Sequence, residues 1–179
     1  MQQAIHPVVG GNLQAIAQLE ELLEALSKQQ YCYQDSGVTH SSIGAHTRHI
    51  LDIYQALICG IEKFDLVDYD LRRRGAPIET DPEVALGELS SLKVWLQGLS
   101  EAQLAQSLSV KSEVSLCDQT SVEVVSSALR ELIFASSHFV HHLAIIAILA
   151  KSQRLQTPSA LGVAPATASF LRSESSMAE

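Results

Sequence analysis

Charge is scarce in this sequence. Only 18% of the residues are Asp, Glu, Lys or Arg, against 46% hydrophobic residues. A chain that can solvate so little surface is expected to bury more than a monomer's core, and a homodimer contact is the simplest source. Cations are scarcer than anions: 12 Lys and Arg face 20 Asp and Glu, for a net charge of −8. Nucleic-acid binding draws on a basic stripe that displaces counterions. The one basic cluster, Arg72-Arg73-Arg74, is flanked by Asp65, Asp68, Asp70 and Glu79 and reads as a self-neutralising loop. Nucleic acid is therefore set aside as a partner.

Cysteine is rare too. Cys32, Cys59 and Cys117 are odd in number, widely spaced and free of any CxxC. That argues against a disulfide framework or a cysteine-rich zinc site and favours a reducing, cytoplasmic compartment. Met1 to Gly11 lacks the basic and apolar regions of a secretory signal. The longest apolar run, Leu143 to Ala150, falls short of the roughly 20 residues that span a bilayer, so no membrane segment is expected.

What the sequence does have is helical periodicity. Over 179 residues, one domain is expected. A first helix is predicted from about Gly11 to Gln29, with Leu13, Ile16, Leu19, Leu22, Leu23 and Leu26 on one side. A second runs from about Thr39 to Lys63 along Ile43, Ile50, Ile53, Leu57 and Ile61. A third opens at Thr80-Asp81-Pro82-Glu83, where a cap and a first-turn proline start a helix, and ends near Gly98. The fourth, about Ser127 to Lys151, is apolar nearly all round from Leu129 to Ala150 and must be buried on most sides. Between Ser107 and Val125, apolar and polar residues alternate around Cys117-Asp118-Gln119, the pattern of a small β-hairpin. A short helical turn is expected at Ala166 to Leu171, followed by about eight disordered residues. Four long helices make an all-α, four-helix bundle.

The chemical signal is histidine. Three of the seven crowd into Ser137-His138-Phe139-Val140-His141-His142, and two into Ala45-His46-Thr47-Arg48-His49. At about 100° per residue, His142 falls roughly 40° from His138, one turn on, and both project from an apolar face. HxxxH is the spacing that lets two imidazoles share an ion. Buried ring nitrogens need partners, and a metal is one way to satisfy them. His46 lies at the centre of the second helix's stripe and His49 about 60° to its flank; either can supply a third ligand, and the wheel mildly favours His46. Glu131 shares the face of His138 two turns earlier, as an outer acceptor, a weak fourth ligand or a base, or simply as the ion-pair partner of Arg130.

The segments Ser42-Ile43-Gly44-Ala45-His46-Thr47-Arg48-His49-Ile50-Leu51-Asp52 and Ser137-His138-Phe139-Val140-His141-His142 resemble the DinB/YfiT-like superfamily. The loop Val67-Asp68-Tyr69-Asp70-Leu71-Arg72-Arg73-Arg74 and the tail Gly162-Val163-Ala164-Pro165-Ala166-Thr167 look like one branch of it, and the likeness spans about residues 10 to 170. The resemblance implies an up-down-down-up four-helix bundle, often dimeric, with a divalent metal on one helix-two histidine and the HxxxH pair. By that resemblance the ligands are His49, which stands directly before Ile50-Leu51-Asp52, with His138 and His142. His46 and His141 then become outer or pocket residues. The resemblance further implies a metal that activates a small thiol, as in bacillithiol- and mycothiol-dependent transferases, a maleylpyruvate isomerase and a domain of sulfoxide synthases.

The first functional expectation is therefore a metal-dependent enzyme of thiol-transferase type. Its metal would be zinc, nickel, iron or manganese, which three imidazoles suit alike. Asp70, Arg72 and Arg74 are candidates to hold an anionic substrate. The alternatives are a non-catalytic dimeric module fastened by its metal, and a metal-free interaction protein with hydrogen-bonded core histidines. Ser136, Val140, Leu143 and Ala147 lie on the side of the fourth helix away from the ligands and are expected to form the dimer contact.

Overall fold

The computed structural model describes residues 5–63 and 66–177. Asp65, one of the acidic residues expected to flank the arginine run, lies outside them. The long helices are α1 (Pro7–Glu24), α3 (Ile43–Lys63), α4 (Pro82–Gly98) and α6 (Ala128–Ser152). Two short helices, α2 (Lys28–Cys32) and α5 (Glu101–Leu104), follow α1 and α4, and α7 (Pro165–Met177) closes the chain. α1 packs on α4 and α6, and α3 packs on α6 and α4. The core between them is apolar and mainly aliphatic, with Ile16, Leu19, Leu57, Leu89, Leu143, Leu149 and the aromatic Phe139 fully buried.

Local chemistry sets the boundaries. Pro7 in the first turn and the His6 ring, which accepts from the Val8 amide, start α1 earlier than its apolar stripe indicates. A capping box between Ser27 and Gln30 then splits off α2. Asp81 caps α4 by accepting from the Glu83 amide, and Ser127 caps α6 by accepting from Arg130. The expected short turn near the C-terminus is a correction: the helix runs on to Met177 through residues expected to be disordered, and only Ala178 and Glu179 lie outside the described residues. Pro165 fits a first helical turn, and Ala166 and Ala168 are good helix formers.

The hairpin is present as β2 (Ser107–Glu113) and β3 (Ser121–Ser127), antiparallel from Ser107 opposite Ser127 to Glu113 opposite Ser121. A third strand, β1 (Val67–Asp68), pairs in parallel with β2 at Val110 and Lys111. Two residues carry no readable periodicity, so this strand is invisible before the chain folds. It ties the segment after α3 to the hairpin that leads directly into α6, the two helices that carry the histidine clusters.

α6 is, among the described residues, the one helix long and apolar enough by length and composition to cross a membrane. Here it is a core helix, with Leu132, Phe139, Leu143, Ile146 and Leu149 buried against its neighbours.

Candidate metal centre

α3 begins where Ser42 accepts from the Ala45 amide, four residues later than the periodicity indicates. Its first turn is wedged. A Cβ on Gly44 would stand 2.1 Å from the Glu79 carbonyl oxygen and 2.7 Å from the Tyr31 ring, so only glycine fits there. The Tyr31 hydroxyl donates to the Ile78 carbonyl oxygen at 2.6 Å, which holds α2 and the 3₁₀ turn Pro77–Glu79 against this end of α3. That contact fixes the rotation of α3 and so the direction of its histidines.

Three imidazoles then meet between α3 and α6. The Nε2 atoms of His49 and His138 are 2.9 Å apart, and those of His138 and His142 are 3.0 Å apart. Ligand nitrogens bound at about 2.0–2.1 Å to one ion stand roughly 2.9–3.4 Å from each other, so the spacing matches a shared ion. Proton counting points the same way. A neutral imidazole carries one N–H. His138 Nε2 faces two other Nε2 atoms and can donate to one of them at most, so ordinary hydrogen bonds cannot satisfy all three. Three nitrogen lone pairs aimed at one point suit a divalent cation.

The rings are kept neutral for that task. Burial lowers His49, helped by the Arg72 charge, to about 4. Burial, with the neighbouring rings of His138, His49, His46 and His141, lowers His142 to about 3. His138 is lowered by burial and by His141 and Arg72. His142 is buried while His49 and His138 are half-buried, so the centre can be reached from outside.

The family model for the DinB family matches residues 1–170. The chain belongs to the DinB family. Its fold is similar to the crystal structure of a DinB-like protein, YjoA, from Bacillus subtilis, with a TM-score of 0.56 and 18% identity over 86% of this chain and 96% of that one. At that identity the likeness concerns the fold. A stretch of 109 residues, 61% of this chain, is 28% identical to FK506-binding protein 5 of Rhizopus delemar. The chain spans 28% of that curated relative's length.

The DinB fold sorts the remaining candidates. His46 does not join the convergent set. Its Nδ1 stands 3.0 Å from Nδ1 of His142, on the far edge of that ring, and its Nε2 is buried without a partner. His141 is exposed, its ring centre 5.2 Å from that of His142. Glu131 is 1% exposed but lies outside the convergent group, so the fourth-ligand expectation is corrected. It accepts from Tyr69 at 2.7 Å, Ser126 at 2.5 Å and Arg130 at 2.6 Å, which anchors the loop after β1 and the base of α6 to each other.

The arginine run is also corrected, because among the described residues it does not neutralise itself. Arg73 reaches Asp52 at 2.7 Å and Glu88 at 2.9 Å, while Glu79 and Asp52 both hold the nearly buried Arg48. Asp68 pairs with Lys111, and Asp70 accepts from the Glu113 amide and the Ser121 hydroxyl. Asp70 is thus taken up by the hairpin and Arg74 is exposed, while Arg72 is half-buried and is the member of the run whose charge bears on both His49 and His138. The sequence reading missed Tyr69, whose ring packs on Phe134 at 5.4 Å while Phe134 stacks on His138 at 5.7 Å. No local pattern marks Tyr69, since its partners are on α6. The Arg48–Asp52 pair was missed as well, although its i,i+4 spacing on a helix is a signal that could have found it.

Proposed function

We propose that this DinB chain is a metal-dependent enzyme that binds a divalent ion through Nε2 of His49, His138 and His142 and acts on a small thiol. The convergence of those three nitrogens carries the reading. When bound, such an ion lowers the pKa of a coordinated thiol or water and polarises a carbonyl.

The chain's own residues prepare that position. Three neutral ligands leave the ion's charge uncompensated and a coordination place open, the arrangement of catalytic rather than structural sites. With Nε2 of His142 given to the ion, its proton sits on Nδ1 and is donated to His46 Nδ1, 3.0 Å away, which holds the ring in place. Phe134 stacks on His138 with ring centres 5.7 Å apart, which restrains the imidazole. His49 and His138 are half-buried rather than sealed in the core, which leaves a side from which a small thiol can approach.

The same reading takes the four long helices as the up-down-down-up bundle and the protein as a cytoplasmic homodimer. A groove of about 480 Å³ between α1, α6 and the start of α7, lined by Val8, Ile133, Val140 and Ala144, supports a contact on the outer side of α6. Leu143, expected in that contact, is instead fully buried in the core between the long helices. Elemental analysis of protein purified without a histidine tag tests the metal, and turnover of electrophiles with added low-molecular-weight thiols tests the chemistry. Protein that takes up no divalent ion under saturating conditions would end the proposal.

A further inference from the structure

Among the described residues, most arginines around the three histidines are ion-paired, and the half-buried Arg72 is not. Arg48 is held by Asp52 and Glu79, Arg73 by Asp52 and Glu88, and Arg130 by Glu131. Arg72 has no carboxylate within bonding distance among the described residues. Its Nη1 donates to the carbonyl oxygens of Tyr69 and Leu71, and it is half-buried. The Nε and Nη2 edge, which matches a carboxylate with two parallel bonds, has no protein partner among those residues.

The loop that carries Arg72 is clamped on both sides of the centre. On one side the Arg73 amide and guanidinium bind Asp52, one turn beyond His49 on α3. On the other the Tyr69 hydroxyl binds Glu131, and the Tyr69 ring packs on Phe134, one turn before His138 on α6. Residue 72 is therefore fixed between the two helices that present the ligands. The cost of holding a guanidinium half out of water with only carbonyl partners is offset when an anion completes it.

We propose that Arg72 receives the carboxylate of a small ligand whose other end reaches the three-histidine centre, so that the substrate class is an anionic, carboxylate-bearing thiol. This rests on the metal-binding reading above. It also fits the electrostatics of the site, where three uncharged ligands and an unpaired guanidinium leave a cationic spot on a chain of net charge −8.

The test uses the full chain loaded with cobalt(II), titrated with 3-mercaptopropionate and with its uncharged methyl ester. Binding is followed by calorimetry and by the near-ultraviolet thiolate-to-cobalt band. The acid should bind about tenfold or more tightly than the ester, as a charge-assisted pair requires. In Arg72→Gln that preference should fall below about threefold while ester binding is unchanged, and Arg72→Lys, which keeps the charge but not the fork, should lie between. Equal binding of acid and ester by the native protein overturns the proposal without any variant, as does an undiminished preference in cobalt-loaded Arg72→Gln. Failure to take up cobalt at all overturns the metal reading and this proposal together, whereas cobalt uptake without a preference removes only the role of Arg72.

Discussion

Nδ1 of His46 lies 3.0 Å from Nδ1 of His142, back to back with the nitrogen that His142 turns toward His49 and His138. Two rings are thus linked in series, and only the second belongs to the convergent set. Outer partners of this kind fix the tautomer and orientation of a ligand, and their loss costs about 10–100-fold in metal affinity.

The four histidines should therefore separate by affinity. Alanine at His49, His138 or His142 should abolish tight binding of zinc measured against a chromophoric chelator. His46→Ala should keep one ion per chain with affinity reduced by about 10–100-fold. An equal loss for His46 and His49 would place the centre elsewhere.

The metal-free protein should weaken as the medium becomes acidic. His142 and His49 are pushed down by burial to about 3 and about 4, from the usual 6.5. In the unfolded chain they take up protons from about pH 6.5 downward, while the folded chain refuses them until its own lower values are reached. The stability they contribute is present above about pH 6.5 and is lost as pH falls through 6.5 toward 4 and 3. Urea unfolding at several pH values checks this, with His142→Leu as reference: its stability should fall less between pH 7 and pH 4. A variant curve parallel to that of the parent would refute it.

Gly44→Ala tests the wedge at the start of α3. The added methyl meets a backbone carbonyl oxygen at 2.1 Å, which cannot move aside as a flexible side chain does. We expect a loss of ~3 kcal/mol in urea unfolding, at the upper end of overpacking effects, together with weaker metal binding because α3 must shift. Gly87→Ala, where a Cβ meets nothing within 4 Å, is the control and should be neutral or slightly stabilising.

Asp52→Ala should be the most damaging change outside the histidines. Its carboxylate is 2% exposed and holds Arg48 at 3.0 Å and Arg73 at 2.7 Å. Removing it strands the nearly buried Arg48 with Glu79 alone, and breaking such a network costs about 3–5 kcal/mol. Limited proteolysis should then cut in the 72–76 loop, which the native protein protects; an unchanged digestion pattern would contradict the clamp.

Much of this molecule is readable from its residues in order. The four long helices, the caps at Asp81 and Ser127, the hairpin and the HxxxH pair on α6 all follow from interactions between residues a few positions apart. Periodicity, capping and helical spacing are local, so the chain determines them before it folds. The family resemblance pointed to His49, where the wheel alone leaned to His46.

Other features depend on which distant segments touch. The rotation of α3 is set by Gly44 against Glu79 and Tyr31, segments that approach only when α2 and the 3₁₀ turn close on the helix. The two-residue strand β1, the Tyr69–Glu131 bond and the sharing of Asp52 between Arg48 and Arg73 join residues from different elements. Arg72 and Arg74 have the same chemistry and are two positions apart, yet one is fixed beside the histidines and the other is exposed. Composition cannot separate them, because the difference lies in the direction of a loop clamped at both ends by long-range bonds, and that direction exists only in three dimensions.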